Sequence, residues 1–380
     1  MLKFLSTLCC IGLLQLVQSQ SYSTTFPFEI RYGLIILPVE IQGQTYDFLF
    51  DTGATTSLSN LLQERLGYKV IKTKNQKDSD GTKMKIRYVQ IEEMKIGGLF
   101  FRNHEASVHD FTMNPAIECL KIDGIIGSSS MHLSTWSIDW SNKLLTISDE
   151  PLQFCSDTDY KYKSDNQKSL LINLKTPNST LKNIKVDYGS VGSLGVPEKI
   201  FKVLKERQEF SKIIQNNGYK MGGLFGKKKA LTSYSGIIPF ASIGQVELDS
   251  FVLKSGNKGL LGTLILRDYF VRIDGKNRIL RLQKYPITKS DDFSLIGFGV
   301  GESEGKFWIM NVIENSMADQ NGIKPGFQLL RIGDIDFSIE GALCDYMFSK
   351  EKTRDKLEVE FIDDQGNNRK IILKAKNYYQ

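Results

Sequence analysis

The chain has 380 residues, of which 41% are hydrophobic and 24% charged, with a formal net charge of +6 at pH 7. That length builds two or three domains with sizeable cores. The modest charge is spread along the chain, with no basic run longer than Lys227-Lys228-Lys229, which argues against a nucleic-acid-binding surface.

The first twenty residues, MLKFLSTLCCIGLLQLVQSQ, place one early Lys before an apolar run and then Val17-Gln18-Ser19. A small residue at the last position and Val two before it suit signal peptidase, so residues 1–19 read as a signal peptide. The run is short for a membrane span, and no later segment reads as one. The expected product is exported, periplasmic or secreted. Three cysteines remain, Cys119, Cys155 and Cys344, an odd number that excludes a complete disulfide framework. Cys119 with Cys155 is one candidate pair, and buried free thiols are an equal alternative. The histidines, His104, His109 and His132, lack metal-ligand spacing, and neither a metal nor another cofactor is expected. No Gly-x-Ser-x-Gly elbow marks a serine nucleophile.

Further along, short strands dominate. GLIILPVEIQGQTYDFLFD reads as two apolar strands joined at Gln42-Gly43, and the second delivers Asp51 to a tight turn, FLFDTGA. SNLLQERLG reads as a short helix capped by Ser59 or Asn60 and stopped by Gly67. SDGTKMKIRYVQIEEMKIGGLFF reads as a hairpin with Asp80-Gly81 at its tip. VPEKIFKVLKERQ reads as a longer helix with Pro197 in its first turn.

These elements recur. FDTGATTSLSN, from Phe50, and VDYGSVGSLGV, from Val186, share the pattern apolar-Asp-x-Gly-small-x-x-Ser-Leu. Gly124-Ile125-Ile126-Gly127 begins 73 residues after Asp51, and Gly259-Leu260-Leu261-Gly262 begins 72 after Asp187. Asp139 and Asp274 each follow 15 residues later, before WSNKLLTIS and GKNRILRLQ, where they read as structural turn residues. A lone Asp-Thr-Gly is weak evidence, but four pieces repeated in near-identical register mark a duplicated β-rich unit.

On these residues the segment from Phe26 to Lys284 resembles the bilobal aspartic proteases of the pepsin and retropepsin class. The resemblance implies a mainly β, two-lobed, pepsin-like β-barrel fold with lobes at 20–150 and 151–285. It makes Asp51 and Asp187 a catalytic pair at the lobe interface. Thr52, Gly53 and Ala54 would form one active-site loop, and Tyr188, Gly189 and Ser190 the other. Gly127 and Gly262 would clamp the loops, and Asp80-Gly81 would be the flap. Two carboxylates at close range share a proton, so the pair can activate a water and protonate a peptide carbonyl without a metal. The implied substrate is a peptide or unfolded protein. With both halves in one chain a monomer suffices.

Two positions depart from the family pattern. Ala54 lacks the hydroxyl that Ser190 supplies in the other loop, which should let the working pH drift upward. Tyr188 stands where the family has Thr, whose hydroxyl locks the loops together. The Tyr hydroxyl lies about 6.5 Å from its Cα and cannot replace that contact in place. Either other contacts hold the second loop, or the chain is a non-catalytic peptide-binding protein with an impaired dyad.

After the linker YPITKSDD, residues 292–380 resemble a PDZ domain of the protease-associated type. The match lies in Ile296-Gly297-Phe298, FWIMNVI, ENSMADQNGIKPG and LLRIGDI. It implies capture of a C-terminal peptide by strand addition, with the carboxylate at Leu295, Ile296, Gly297 and Phe298.

Overall fold

The computed structural model describes residues 22–77, 83–220, 229–286, 294–303, 305–349 and 356–379. The expected signal peptide and the Asp80-Gly81 tip lie outside them. No helix among the described residues is long and apolar enough to cross a membrane.

The first repeat is built around a hairpin of Leu34–Ile41 and Gln44–Asp51, whose turn residues Gln42 and Gly43 have φ of 51° and 75°. Positive φ at both turn positions matches the right-handed twist of the flanking strands. Strand Gln44–Asp51 runs parallel to Gly124–Gly127, which pairs Asp51 with Gly127. The following helix, Asn60–Leu66, is capped by Ser59, whose Oγ accepts from the Leu62 amide, and ends at Gly67 with φ of 68°. A long hairpin then forms from Val70–Lys77 and Lys83–Ile96, where the sequence places it.

The second repeat follows the same plan. Strand Ser179–Val186 leads into Asp187 and runs parallel to Leu260–Leu261. Helix Glu198–Glu206 takes the place of Asn60–Leu66. Pro197 is its N-cap rather than a first-turn residue, because the missing N–H is harmless one step earlier too. A second hairpin, Ile213–Lys220 with Lys229–Ile238, matches the first. The repeats meet in a six-stranded sheet in which Thr135–Asp139 pairs antiparallel with Tyr269–Asp274. Asp139 and Asp274 each close the next turn by accepting from an asparagine amide, Asn142 at 3.1 Å and Asn277 at 2.8 Å. One hydrophobic core runs through both repeats, with Trp136, Phe50 and Tyr188 fully buried in it.

The C-terminal module has a separate core that includes Ile296, Phe298, Ile309, Leu329, Val359 and Phe361. Its strand Phe298–Ser303 pairs only with Lys306–Ile313 among the described residues. The module is fastened to both repeats. On one side, Ile213–Lys220 of the second hairpin pairs with Lys306–Ile313 from Asn216↔Ile313 to Gly218↔Asn311. On the other, Cys119 forms a disulfide with Cys344. This corrects the candidate pair Cys119–Cys155 and the alternative of buried free thiols, since Cys155 is an exposed free thiol. The reason is packing: helix Pro115–Glu118 lies against helix Ala342–Phe348, which brings together cysteines 225 residues apart.

Candidate active site

Both predicted loops sit at the ends of parallel strand pairs, and the fold brings them face to face. The Asp51 Oδ1 accepts from the Gly53 amide at 2.7 Å and the Ala54 amide at 3.0 Å, and the Asp187 Oδ1 accepts from the Gly189 amide at 3.0 Å. The glycines are required by the opposite loop. A Cβ at Gly53 would come within 2.6 Å of the Asp187 carboxyl carbon, and one at Gly189 would collide with the Asp51 carboxyl. The two carboxyls share a hydrogen bond.

Burial pushes both carboxyls above the usual carboxylate range. Asp187 rises well above it, because the Asp51 charge adds to burial. At Asp51 the loop amides, the Asp187 hydrogen bond and the charge of Lys185 pull the other way. Two carboxyls this close disfavour double ionisation, and their titration belongs to the pair.

The clamps are matched. Ser128 N donates to Ala54 O at 2.9 Å, and Thr263 N donates to Ser190 O at 2.8 Å. A Cβ at Gly127 or Gly262 would strike the backbone of the loop it supports. Ser190 serves through its backbone, and among the described residues its hydroxyl makes no bond to Asp187.

Tyr188 does not obstruct the pair. Its ring turns away beneath the loop, fully buried, and meets Phe50 edge-on with ring centroids 5.4 Å apart. The tie between the loops comes from Thr52. Its hydroxyl donates to Val186 O at 2.7 Å and accepts from the Tyr188 amide at 3.0 Å. One threonine thus grips the second loop by its backbone, which does not depend on the side chain at 188.

Two groups were missed in the sequence. Ser128, Ser129 and Ser130 form a hydroxyl web under the first loop: Ser129 Oγ accepts from Thr56 N at 3.0 Å, and Ser130 Oγ lies 2.6 Å from Thr56 Oγ1 and 2.9 Å from His104 Nε2. Burial holds His104 down to about 4, so it is a neutral hydrogen-bonding partner at neutral pH. The run of three serines directly after the first clamp was its signal. The other group is Lys185, whose signal was a charge two residues before Asp187, where the first repeat has Leu49.

Of the other predicted residues, Asp80 and Gly81 lie outside the described set. Leu295, Ile296, Gly297 and Phe298 lie in the C-terminal module. Gly297 has φ of 94°, and its carbonyl accepts from Ile313 N at 2.8 Å. The module also abuts the first repeat at Tyr32, whose neighbour Gly33 faces the second loop. Tyr32 meets Phe348 with ring centroids 6.4 Å apart, and a Cβ at its neighbour Gly33 would lie 3.9 Å from Val191, in the turn after Ser190.

Comparison with known proteins gives a partial match. A solved structure of a retropepsin-like aspartic protease from Rickettsia conorii is 18% identical, covering 34% of this chain and 94% of that one, with a TM-score of 0.26. No curated protein matches the chain. The aspartyl protease family model matches residues 37–130, the segment that carries Asp51, its loop and its clamp.

Proposed function

We propose that the chain is an aspartic endopeptidase in which Asp51 and Asp187 act together on a water molecule and a peptide bond. The observation that carries this reading is reciprocal: each catalytic-loop glycine packs on the opposite carboxyl, and the two carboxyls share a hydrogen bond. The ionised member of the pair takes a proton from water as it attacks the peptide carbonyl. The protonated member donates to the carbonyl oxygen, and the proton then passes to the leaving amine. The two-lobed, pepsin-like reading rests on the matched repeats and their shared sheet.

The C-terminal module is read as a PDZ domain. An extended peptide would add to the open edge of Phe298–Ser303, with its C-terminal carboxylate at Leu295 to Phe298. The apolar N-terminal segment and cleavage context support an exported, periplasmic or secreted protein. The competing reading, a peptide-binding protein disabled by Tyr188, is disfavoured because that ring leaves the dyad alone.

The test is turnover. Purified protein is incubated with an unfolded protein substrate from acid to neutral pH, beside Asp51→Asn and Asp187→Asn. Cleavage by the native chain that falls roughly 10²–10⁴-fold in either variant supports the reading. Peptide binding with no cleavage at any pH would establish the rival.

A further inference from the structure

The tie between the catalytic loops is complete in one direction only through threonine. Thr52 of the first repeat grips Val186 and Tyr188 of the second. By the repeat, the return grip belongs at position 188, but Tyr188 is committed to the core. Another side chain crosses in that direction. Lys185 donates from Nζ to Gly53 O at 3.0 Å and to Ser169 Oγ at 2.9 Å, and it lies 3.5 Å from the Asp165 carboxylate. Its side chain is only 15% exposed. A cation that withdrawn from water needs a full set of partners, and here a carboxylate, a hydroxyl and a carbonyl supply it. At the equivalent position the first repeat has Leu49, which stays in its own apolar cluster with Leu34, Ile36 and Phe111. The lysine is therefore a feature of one repeat and not of the shared architecture.

We propose that Lys185 is the return tie, a positioning residue that holds the first catalytic loop at Gly53 in the role Tyr188 has vacated. Gly53 is the sensitive point of that loop. Its amide donates to Asp51, and its Cα packs on the Asp187 carboxyl, so movement of its carbonyl disturbs both. The charged groups facing the lysine are Asp165 from the turn before strand Leu170–Thr176 and the two members of the dyad. Its charge favours the ionised form of each dyad carboxyl. The kinetic consequences rest on the proteolytic reading above, whereas the structural tie does not.

The experiment compares the full-length chain with Lys185→Met and Lys185→Arg. It measures kcat, KM and the pH profile on an unfolded protein substrate, and amide exchange of residues 51–54. Lys185→Met should lower kcat at least about tenfold with little change in KM. It should move the acidic limb of the profile to higher pH, since loss of the cation raises the dyad, and should speed exchange at Gly53 and Ala54. Lys185→Arg, which keeps a donor and the charge, should retain most of the native behaviour. A Lys185→Met protein that only melts earlier, with kcat, pH profile and loop exchange unchanged, would overturn the proposal. So would equal losses in Met and Arg. If the native chain cleaves nothing, the proteolytic reading fails by itself, and loop exchange alone decides for or against the tie.

Discussion

The two aspartate loops share a backbone plan and differ in how side chains secure it. The first holds its carboxylate with two amides and sits on a web of serines and His104. The second holds its carboxylate with one amide and sinks an aromatic ring into the core. Hydrogen bonds hold the backbone of both loops, and the second adds apolar burial of its aromatic side chain where the first adds a web of side-chain hydroxyls. A duplicated site thus keeps the geometry that its backbone and glycines impose, while the anchoring chemistry of each copy is free to diverge.

This comparison predicts a graded series of effects. The shared element should be the most sensitive. Gly53→Ala and Gly189→Ala each place a Cβ in the opposite carboxyl, and each should lower kcat roughly 10²-fold through misplacement of the dyad. Loss of activity in only one of them would show that the loops are not reciprocal. The next contrast lies in how the module is held, covalently to the first repeat and by strand pairing to the second. Replacing Cys119 and Cys344 with Ala should lower unfolding stability by about 2–4 kcal/mol, measured by denaturant titration.

Thr52→Val and Tyr188→Phe occupy matched positions and should behave oppositely. The first strands the Val186 carbonyl and the Tyr188 amide in the core and should destabilise by about 1–3 kcal/mol. pH dependence separates the loops as well. Asp187 is raised on folding, so its contribution is greatest below the ordinary carboxylate range and is lost as pH rises through its folded value. His104 is lowered to about 4, so its contribution is present above the ordinary imidazole value and is lost as pH falls towards 4. Melting temperatures across pH should therefore lose part of the decline that sets in as pH rises above the ordinary carboxylate range in Asp187→Asn, and part of their acid-side decline in His104→Gln. The smallest effect should be Tyr188→Phe. It removes a buried hydroxyl with no hydrogen-bond partner among the described residues, so melting temperature and turnover should hold or rise slightly.

Much of this was legible in the chain. Asp51 and Asp187 could be paired because the loop, the clamp and the turn aspartate recur at nearly constant spacing, and strand period and turn chemistry are local properties. The hairpin turn at Gln42-Gly43 and the cap at Ser59 were readable for the same reason. The partner of Cys119 was not. The sequence left Cys155 as one candidate and free thiols as an equal alternative, whereas two docked helices bring Cys344 within reach. The identity of Tyr188 was plain, but nothing local says whether its ring enters the cleft or the core.

The sequence by itself determined the duplication, the two carboxylates and the glycines beside them, because those features depend on backbone conformation over a few residues. Only the tertiary structure decided which contacts cross between the copies and which tie them to the C-terminal module. Thr52 onto Val186, Lys185 onto Gly53 and Cys119 onto Cys344 join residues far apart in the chain. Such contacts depend on how whole elements pack, and the folded core sets their direction by giving the ring of Tyr188 a place beneath the loop.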